Sequence, residues 1–194
     1  MAAATFIDPE TSTPLELMRW TREQFEAAVQ KGAFDETPRV ELLDGYILAM
    51  PVQSPRHAVT VEDTRNVLSA IFFDQYCVRA QSPFALDDFS DPEPDVAIVP
   101  GQHRDYSTEH PTRAVLLVEV SDATLAKDRG RKLRAYARNG VPEYWIVNLP
   151  ESHLEVYRDP QGEAYGSCVV FRSGQSVATL TKPGALIAVA DLLP

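Results

Sequence analysis

The sequence AVLLVEV, residues 114–120, is the stretch that decides the fold. Every residue in it except Glu119 is apolar, which is typical of a central strand buried on both faces of a sheet. A carboxylate inside such a strand is costly unless it is paired, protonated or bound to a metal ion. Glu119 is therefore a functional group, half of a buried salt bridge, or a residue solvated at the end of its strand.

A second acid stands at the start of another apolar run. Asp95 follows Pro94 and opens the sequence DVAIV, residues 95–99. Taken alone, Asp95 also fits a turn residue that follows a proline. Two hydrophobic strands that each carry one acid can lie side by side and present both carboxylates at one place. Such an oxygen-rich site suits Mg²⁺ or Mn²⁺, whereas the four histidines are scattered without the paired spacing typical of zinc sites.

Secondary-structure signals along the chain predict one α/β domain. Their order is helix, hairpin, helix, strands, helix, strands, which favours a mixed central sheet flanked by helices. We interpret residues 1–18 as an N-terminal arm and residues 19–194 as the domain. The signals are the capping box of Thr21 and Gln24, the hairpin turn Asp44-Gly45, the helix start Ser54-Pro55, the strand-like runs 77–86, 95–99 and 114–120, the helix 125–139, and the strand-like runs 143–149, 153–159 and 167–172.

Composition and sequence predict a cytoplasmic protein. No apolar run approaches the ~20 residues that span a membrane, and the N-terminus lacks the basic and apolar regions of a signal peptide. The two cysteines, Cys77 and Cys168, both lie in apolar, strand-like surroundings, so we expect buried, reduced thiols. The net charge of −10 argues against a general nucleic-acid coat protein, which would carry a basic surface.

The helix predicted over residues 125–139 concentrates positive charge. Four of its cations fall on one narrow stripe, which we interpret as a solvated face, with phosphate contact as the less favoured alternative: Lys127, Arg131, Arg134 and Arg138. Lys132 lies at the border of the buried face, one turn before Tyr136, where its amine can reach toward the sheet. The competing interpretation of Lys132 is a weak ion pair with Asp128.

An ordered set of short motifs resembles the Uma-type family of proposed endonucleases. That family has the restriction-endonuclease-like fold and belongs with the PD-(D/E)xK nucleases. The matching motifs span about residues 19–160, and they are ELLDG at 41–45, Pro51, His57, PDV at 94–96, LVEVS at 117–121, DRGRKL at 128–133, YA at 136–137 and GVPEYW at 140–145.

The resemblance implies a metal site. Asp95 and Glu119 would ligate the ion together with the carbonyl of Val120, and Glu41 would be a third acid near the metal. Without the resemblance, an exposed glutamate on a strand would explain Glu41 equally well. The metal would be Mg²⁺, with Mn²⁺ as a substitute.

The sequence departs from the PD-(D/E)xK pattern at one position. Two residues after Glu119, where the pattern has lysine, the chain has Ser121. The resemblance implies that the lysine has moved to the next helix, where Lys132 stands. Ser121 is then either a hydrogen-bonding residue of the site or the N-cap of that helix, and we favour the cap.

These residues support three hypotheses for function. The first is a metal-dependent endonuclease that hydrolyses phosphodiester bonds of DNA, with Lys132 orienting or deprotonating the attacking water; cutting both strands would favour a homodimer. The second is a nuclease-fold module that binds nucleic acid or a protein partner without catalysis, which the pI of 4.8 and Ser121 favour. The third is a structural role, with the acids paired to arginine or lysine.

Overall fold

The computed structural model describes residues 4–7, 12–35 and 39–194. From the first helix onward its helices and strands follow the predicted order, and two strands that were not predicted precede that helix. In sequence they are β1 (Ala4–Ile7), β2 (Pro14–Leu17), α1 (Arg22–Gln30), β3 (Val40–Leu43), β4 (Tyr46–Ala49), α2 (Pro55–Ile71), β5 (Tyr76–Ala80), β6 (Val96–Pro100), β7 (Leu116–Ser121), α3 (Leu125–Lys127), α4 (Leu133–Arg138), β8 (Glu143–Asn148), β9 (His153–Gln161), β10 (Ala164–Arg172), β11 (Ser176–Val177) and β12 (Ile187–Ala188).

A six-stranded mixed sheet forms the centre of the molecule. Its strand order is β10-β9-β8-β7-β6-β5. Strands β7 and β8 are parallel and joined by a helical crossover, while the other neighbours pair antiparallel. The predicted α/β class, with a mixed sheet flanked by helices, is confirmed.

Two hydrophobic layers cover the faces of this sheet. On one face, Leu68 of α2 and Phe72, the residue that ends this helix, pack with Val118 and Trp145. On the other face, Tyr136 of α4 packs with a second set of strand residues that includes Leu117 and Tyr144. Side chains alternate along a strand, so Glu119 of β7 points to the same face as Leu117, toward the crossover helices.

The crossover departs from the single continuous helix predicted over residues 125–139. Helices α3 and α4 are separated by a π-helical turn at Asp128–Lys132. The C-terminal end agrees with the prediction, since Gly140 follows the helix with a positive φ of 69°. A π turn carries one extra residue per turn and therefore rotates the side chains beyond it. The periodicity of a regular helix consequently misplaces residues on this segment.

A β-hairpin formed by β3 and β4 lies against the loop that leads into β6. Its turn residues Asp44 and Gly45 both have positive φ, at 57° and 78°, as the predicted Asp-Gly turn requires. The amide of Asp91 donates to the carbonyl of Leu42 over 2.9 Å. This bridge places Glu41 beside the segment that carries Asp95.

The remaining predictions meet mixed outcomes. Of residues 1–18, those at 1–3 and 8–11 lie outside the described part of the chain. Strands β1 and β2 pair antiparallel with each other, and the division into arm and domain stays a prediction.

Cys77 is buried as expected, but Cys168 is exposed because β10 is the edge strand of the sheet. No helix among the described residues is long and apolar enough to cross a membrane.

Replacing Gly45 with alanine should destabilise the hairpin more than a matched change elsewhere. An alanine at positive φ costs about 1–2 kcal/mol, and a Cβ at Gly45 would also lie 2.6 Å from the Cβ of Arg19. Gly140 has a similar φ but open space around it. In urea unfolding, Gly45→Ala should lose more free energy than the control Gly140→Ala; equal losses would contradict the steric argument.

Candidate active site

Asp95 and Glu119 lie on neighbouring strands. Strands β6 and β7 pair antiparallel with Val96 opposite Val118, so the start of β6 lies beside the end of β7. The amide of Val120 donates to Oδ2 of Asp95 over 2.8 Å. Both carboxylates line one cleft of about 210 Å³, which also receives the first turn of α2. The sequence expectation that the two strands bring these acids together matches this geometry.

Asp95 is held by three donors. Besides the Val120 amide, Nε2 of His57 lies 3.2 Å from Oδ2, and Nε2 of Gln81 donates to Oδ1 over 3.1 Å. Burial alone would raise the pKa of Asp95, but the hydrogen bonds and the positive charges of His57 and Lys132 hold it below its usual value. Asp95 is therefore a well-oriented carboxylate that keeps its negative charge.

Glu119 is 3% exposed and has a different environment. Nζ of Lys132 and the hydroxyl of Tyr136 both donate to its Oε1, over 2.9 and 2.7 Å. Burial raises the pKa of Glu119, and the negative charges of Asp128, Asp95 and Glu41 raise it further, whereas the positive charge of Lys132 lowers it. Oε2 receives no hydrogen bond from the described residues, so one oxygen of Glu119 is free to bind a ligand in the cleft.

Lys132 is 2% exposed and joins two acids. Its Nζ lies 2.9 Å from Glu119 and 3.3 Å from Oε2 of Glu41. Burial would lower the pKa of Lys132, but the negative charges around it, above all those of Glu119 and Glu41, hold that pKa well above its usual value. The amine is therefore an ammonium. The alternative pairing of Lys132 with Asp128 was wrong as the main contact, because the hydrogen bonds go to the strand acids.

Glu41 is fully buried, so the alternative of an exposed strand glutamate was wrong. Nζ of Lys127 donates to its Oε1 over 2.8 Å, and the amide of Glu93 donates to Oε2 over 3.3 Å. Burial would raise the pKa of Glu41, but the positive charges of Lys132 and Lys127 lower it. Glu41 lies behind Lys132, whereas Asp95 and Glu119 line the cleft itself.

The π turn is fastened to the end of β7 by Asp128. The hydroxyls of Ser121 and Thr124 both donate to its Oδ2 over 2.6 Å. Ser121 is the last residue of β7 and the N-cap of α3 is Thr124, so the favoured interpretation of Ser121 as a helix cap was wrong. Ser121 instead ties the strand to the turn that delivers Lys132.

The predicted cationic stripe is largely engaged in ion pairs. Arg131 and Arg138 both pair with Asp44 of the hairpin turn, and Lys127 pairs with Glu41. Only Arg134 of the four is both exposed and without a recorded ion pair among the described residues. These ion pairs join the crossover to the hairpin, so the prediction of a solvated face was wrong for three of the four cations and fits only Arg134.

Three contributors to the site carry little or no sequence signal. In the sequence, Asp128 is a candidate only as a partner for Lys132, and Tyr136 fits chiefly as a core residue. Nothing in a single glutamine after a strand indicates that the Gln81 amide reaches Asp95. His57 belongs to the resembling motifs, but nothing in the sequence indicates its contact with Asp95.

The donor set fits a hard divalent cation. Among the described residues there is no group of three or more His, Cys, Asp or Glu side chains arranged to hold a metal. Mg²⁺, however, is commonly held by one or two carboxylates together with waters and substrate phosphates. Asp95 and the free oxygen of Glu119 supply two carboxylates. The carbonyl of Val120 lies on the same edge of β7 as its amide, which faces Asp95.

Comparison with known proteins agrees with the fold and the motifs. The sequence model of the Uma2 family, described as "Putative restriction endonuclease", matches residues 22–190. The chain belongs to the Uma2 family. No curated protein matches it.

A solved structure shares the fold. It is described as a "putative nuclease belonging to DUF820" from Anabaena variabilis ATCC 29413, and it superposes with a TM-score of 0.65 at 15% sequence identity. The match covers 80% of this chain and 89% of that one. Family membership and a nuclease-like fold together support a nuclease role for this Uma2 protein.

Removing the buried ammonium should destabilise the fold strongly. Lys132→Met leaves Glu41 and Glu119 buried without their shared cation, a change that typically costs about 3–5 kcal/mol. Lys127→Met should cost less, because the Lys127 side chain is 24% exposed and Lys132 still serves Glu41. Urea unfolding of both variants measures the difference. Equal costs would mean that Lys132 does not hold the two acids together.

Proposed function

We propose that this Uma2 protein is a metal-dependent endonuclease that hydrolyses phosphodiester bonds of DNA. One observation carries the proposal: two carboxylates from adjacent strands, Asp95 and Glu119, line the same cleft with the buried ammonium of Lys132 on one of them. Family membership and the nuclease-like fold support the same reaction class.

The residues present fit a magnesium ion, with manganese as a substitute. Asp95, Glu119 and the carbonyl of Val120 would hold the ion, which when bound neutralises charge on the scissile phosphate and makes water a better nucleophile. His57 and Gln81 orient Asp95 for this task through their hydrogen bonds. Tyr136 does the same for Glu119.

Lys132 supplies the fixed positive charge of the site. Its ammonium lies on the cleft wall and would orient the attacking water and stabilise the extra negative charge that develops on the phosphate. Glu41 keeps that ammonium charged and in place from behind. Direct ligation of the metal by Glu41 stays a prediction, because Glu41 is fully buried behind Lys132 and does not line the cleft.

DNA is the proposed partner even though the chain is acidic overall. Three cations of the crossover already form ion pairs within the protein: Lys127, Arg131 and Arg138. The bound metal ion would therefore provide much of the electrostatic attraction for the phosphate. One site per chain would cut both strands most readily in a homodimer, which stays part of the proposal.

Purified protein should nick or linearise plasmid DNA in the presence of Mg²⁺ or Mn²⁺. Asp95→Ala should abolish cleavage, because the oriented carboxylate is lost, and Lys132→Ala should lower the rate by about 10²–10³-fold, as removal of an electrostatic group does. Gel assays over a metal series, with single-stranded and RNA substrates in parallel, measure both rate and substrate class.

The control for the cleavage assay is Glu62→Gln, an exposed acid on α2 that pairs with Arg65 and has no role in the proposed chemistry. It should cut as well as the unchanged protein. If Asp95→Ala and Lys132→Ala, shown to be folded, also cut as well, the cleavage comes from elsewhere and the assignment fails.

A measurement of metal binding distinguishes the catalytic hypothesis from the second one, a nuclease-fold module that binds nucleic acid or a protein partner without catalysis. That alternative is favoured by the internal pairing of Glu119 and Glu41 with lysines. Calorimetric titration with Mn²⁺ should show one site whose affinity falls about tenfold or more in Asp95→Asn and in Glu119→Gln, since each removes a charged ligand. Binding that is absent, or equal in both variants and in Glu62→Gln, would support the binding module.

A further inference from the structure

A second cavity lies next to the catalytic cleft, on the other side of residues 91–95. It has a volume of about 290 Å³ and is walled by α1, by the turn that follows α1, and by the loop before β6. Its lining combines apolar side chains, Phe25, Val29 and Phe34, with two acids, Asp91 and Glu26. None of these five residues has a part in the proposed nuclease chemistry.

Asp91 is the feature of this cavity that lacks an explanation. It is 4% exposed, and its Oδ1 is buried with no hydrogen-bond partner among the described residues. Its backbone amide is used elsewhere, on the carbonyl of Leu42. Burial raises the pKa of Asp91 to about 7. An unsatisfied buried carboxyl is costly and uncommon, and no described residue donates a hydrogen bond to this oxygen of Asp91.

The described cations near Asp91 form ion pairs with other acids. Nη1 of Arg22, the cation that lowers the pKa of Asp91, donates to Glu26 over 2.7 Å, while Nε of Arg22 is buried without a partner among the described residues. Arg39 forms an ion pair with Glu93. Glu26 and Glu93 add negative charge near Asp91 and raise its pKa. His110 also lines the cavity, and burial lowers the pKa of its imidazole. Asp91 therefore has no ion pair within the part of the chain that the structure describes, and its surroundings are acidic.

The apolar side chains of the lining favour a ligand with a flat apolar body. The rings of Phe25 and Phe34 lie 5.8 Å apart between centroids with an angle of 37° between their planes. Aromatic faces attract cations as well as flat apolar groups. An anion such as phosphate is excluded, because Glu26, Glu93 and Asp35 border the cavity.

We propose that this cavity is a binding site for a small organic cation, an amine or amidine on a flat apolar body. The cationic group pairs with the carboxylate of Asp91, and the body lies against Phe25 and Phe34. The site is separate from the nuclease site: residues 91–95 carry Asp91 into this cavity and Asp95 into the cleft, and Glu93 borders both. Its test needs no cleavage and no metal.

Benzamidine is the probe, because it is a flat aromatic amidine that stays protonated across the pH range used. Titration calorimetry of the full chain at pH 8 should show one site. From pH 8 to pH 6 the affinity should fall about tenfold, because the ionised fraction of a carboxyl with a pKa of about 7 falls from about nine-tenths to about one-tenth. Benzamide, which has the same shape without the charge, should bind at least about tenfold more weakly.

Asp91→Asn should weaken benzamidine binding about tenfold or more and remove its pH dependence. The matched control is Asp35→Asn, which removes an exposed acid from the same cavity wall and should change affinity little. Unchanged thermal unfolding of each variant confirms that it is folded. Absence of benzamidine binding, equal binding in Asp91→Asn, or equal binding of benzamide would each overturn the proposal, and the benzamide comparison requires only the unchanged protein.

Discussion

The ammonium of Lys132, buried between Glu119 and Glu41, is the interaction on which the rest of the site depends. Glu119 belongs to the central strand β7, Glu41 to the hairpin strand β3, and Lys132 to the crossover between β7 and β8. One buried cation therefore joins three separate parts of the chain. Without this ammonium, each of the two acids would be an uncompensated buried charge. The hairpin, the sheet and the crossover must therefore pack so that one amine contacts both acids.

Such an arrangement is poorly explained by stability alone. Well-packed hydrophobic residues of similar volume often serve a fold as well as a buried ion pair, because the desolvation of both charges offsets most of their attraction. This site buries four acids, Glu41, Asp95, Glu119 and Asp128, and one fully buried amine. Burial raises the pKa of Glu119, with the neighbouring acids acting in the same direction, whereas hydrogen bonds and the charges of His57 and Lys132 lower the pKa of Asp95. An excess of carboxylate facing a cleft is the electrostatic condition that favours a divalent cation.

Much of this could be anticipated from the sequence, and the failures have a common cause. Strand β7 with its single acid, the Asp44-Gly45 turn, and Lys132 as the residue that reaches the sheet all have local signals in the sequence. The π turn at Asp128–Lys132 has none, because one inserted residue leaves composition unchanged while it rotates the rest of the helix. The exposure of Cys168 was also missed, because an apolar strand has the same pattern at the centre and at the edge of a sheet. Ion pairs such as Arg138 with Asp44 join residues too distant in sequence for a local pattern to relate them.

The sequence Asp91-Pro92-Glu93-Pro94-Asp95 shows why the chemistry of a residue depends on its partners. Asp91 and Asp95 are four residues apart and both buried. The pKa of Asp95 lies below the usual aspartate value, whereas that of Asp91 lies above it. Burial raises both pKa values, so the difference comes from the hydrogen bonds and charges around each carboxyl. Asp95 meets His57, Gln81 and the Val120 amide, whereas no described residue donates to Oδ1 of Asp91. Those donors come from α2, from the residue after β5 and from β7, so the two acids become distinguishable only once the chain has folded around them.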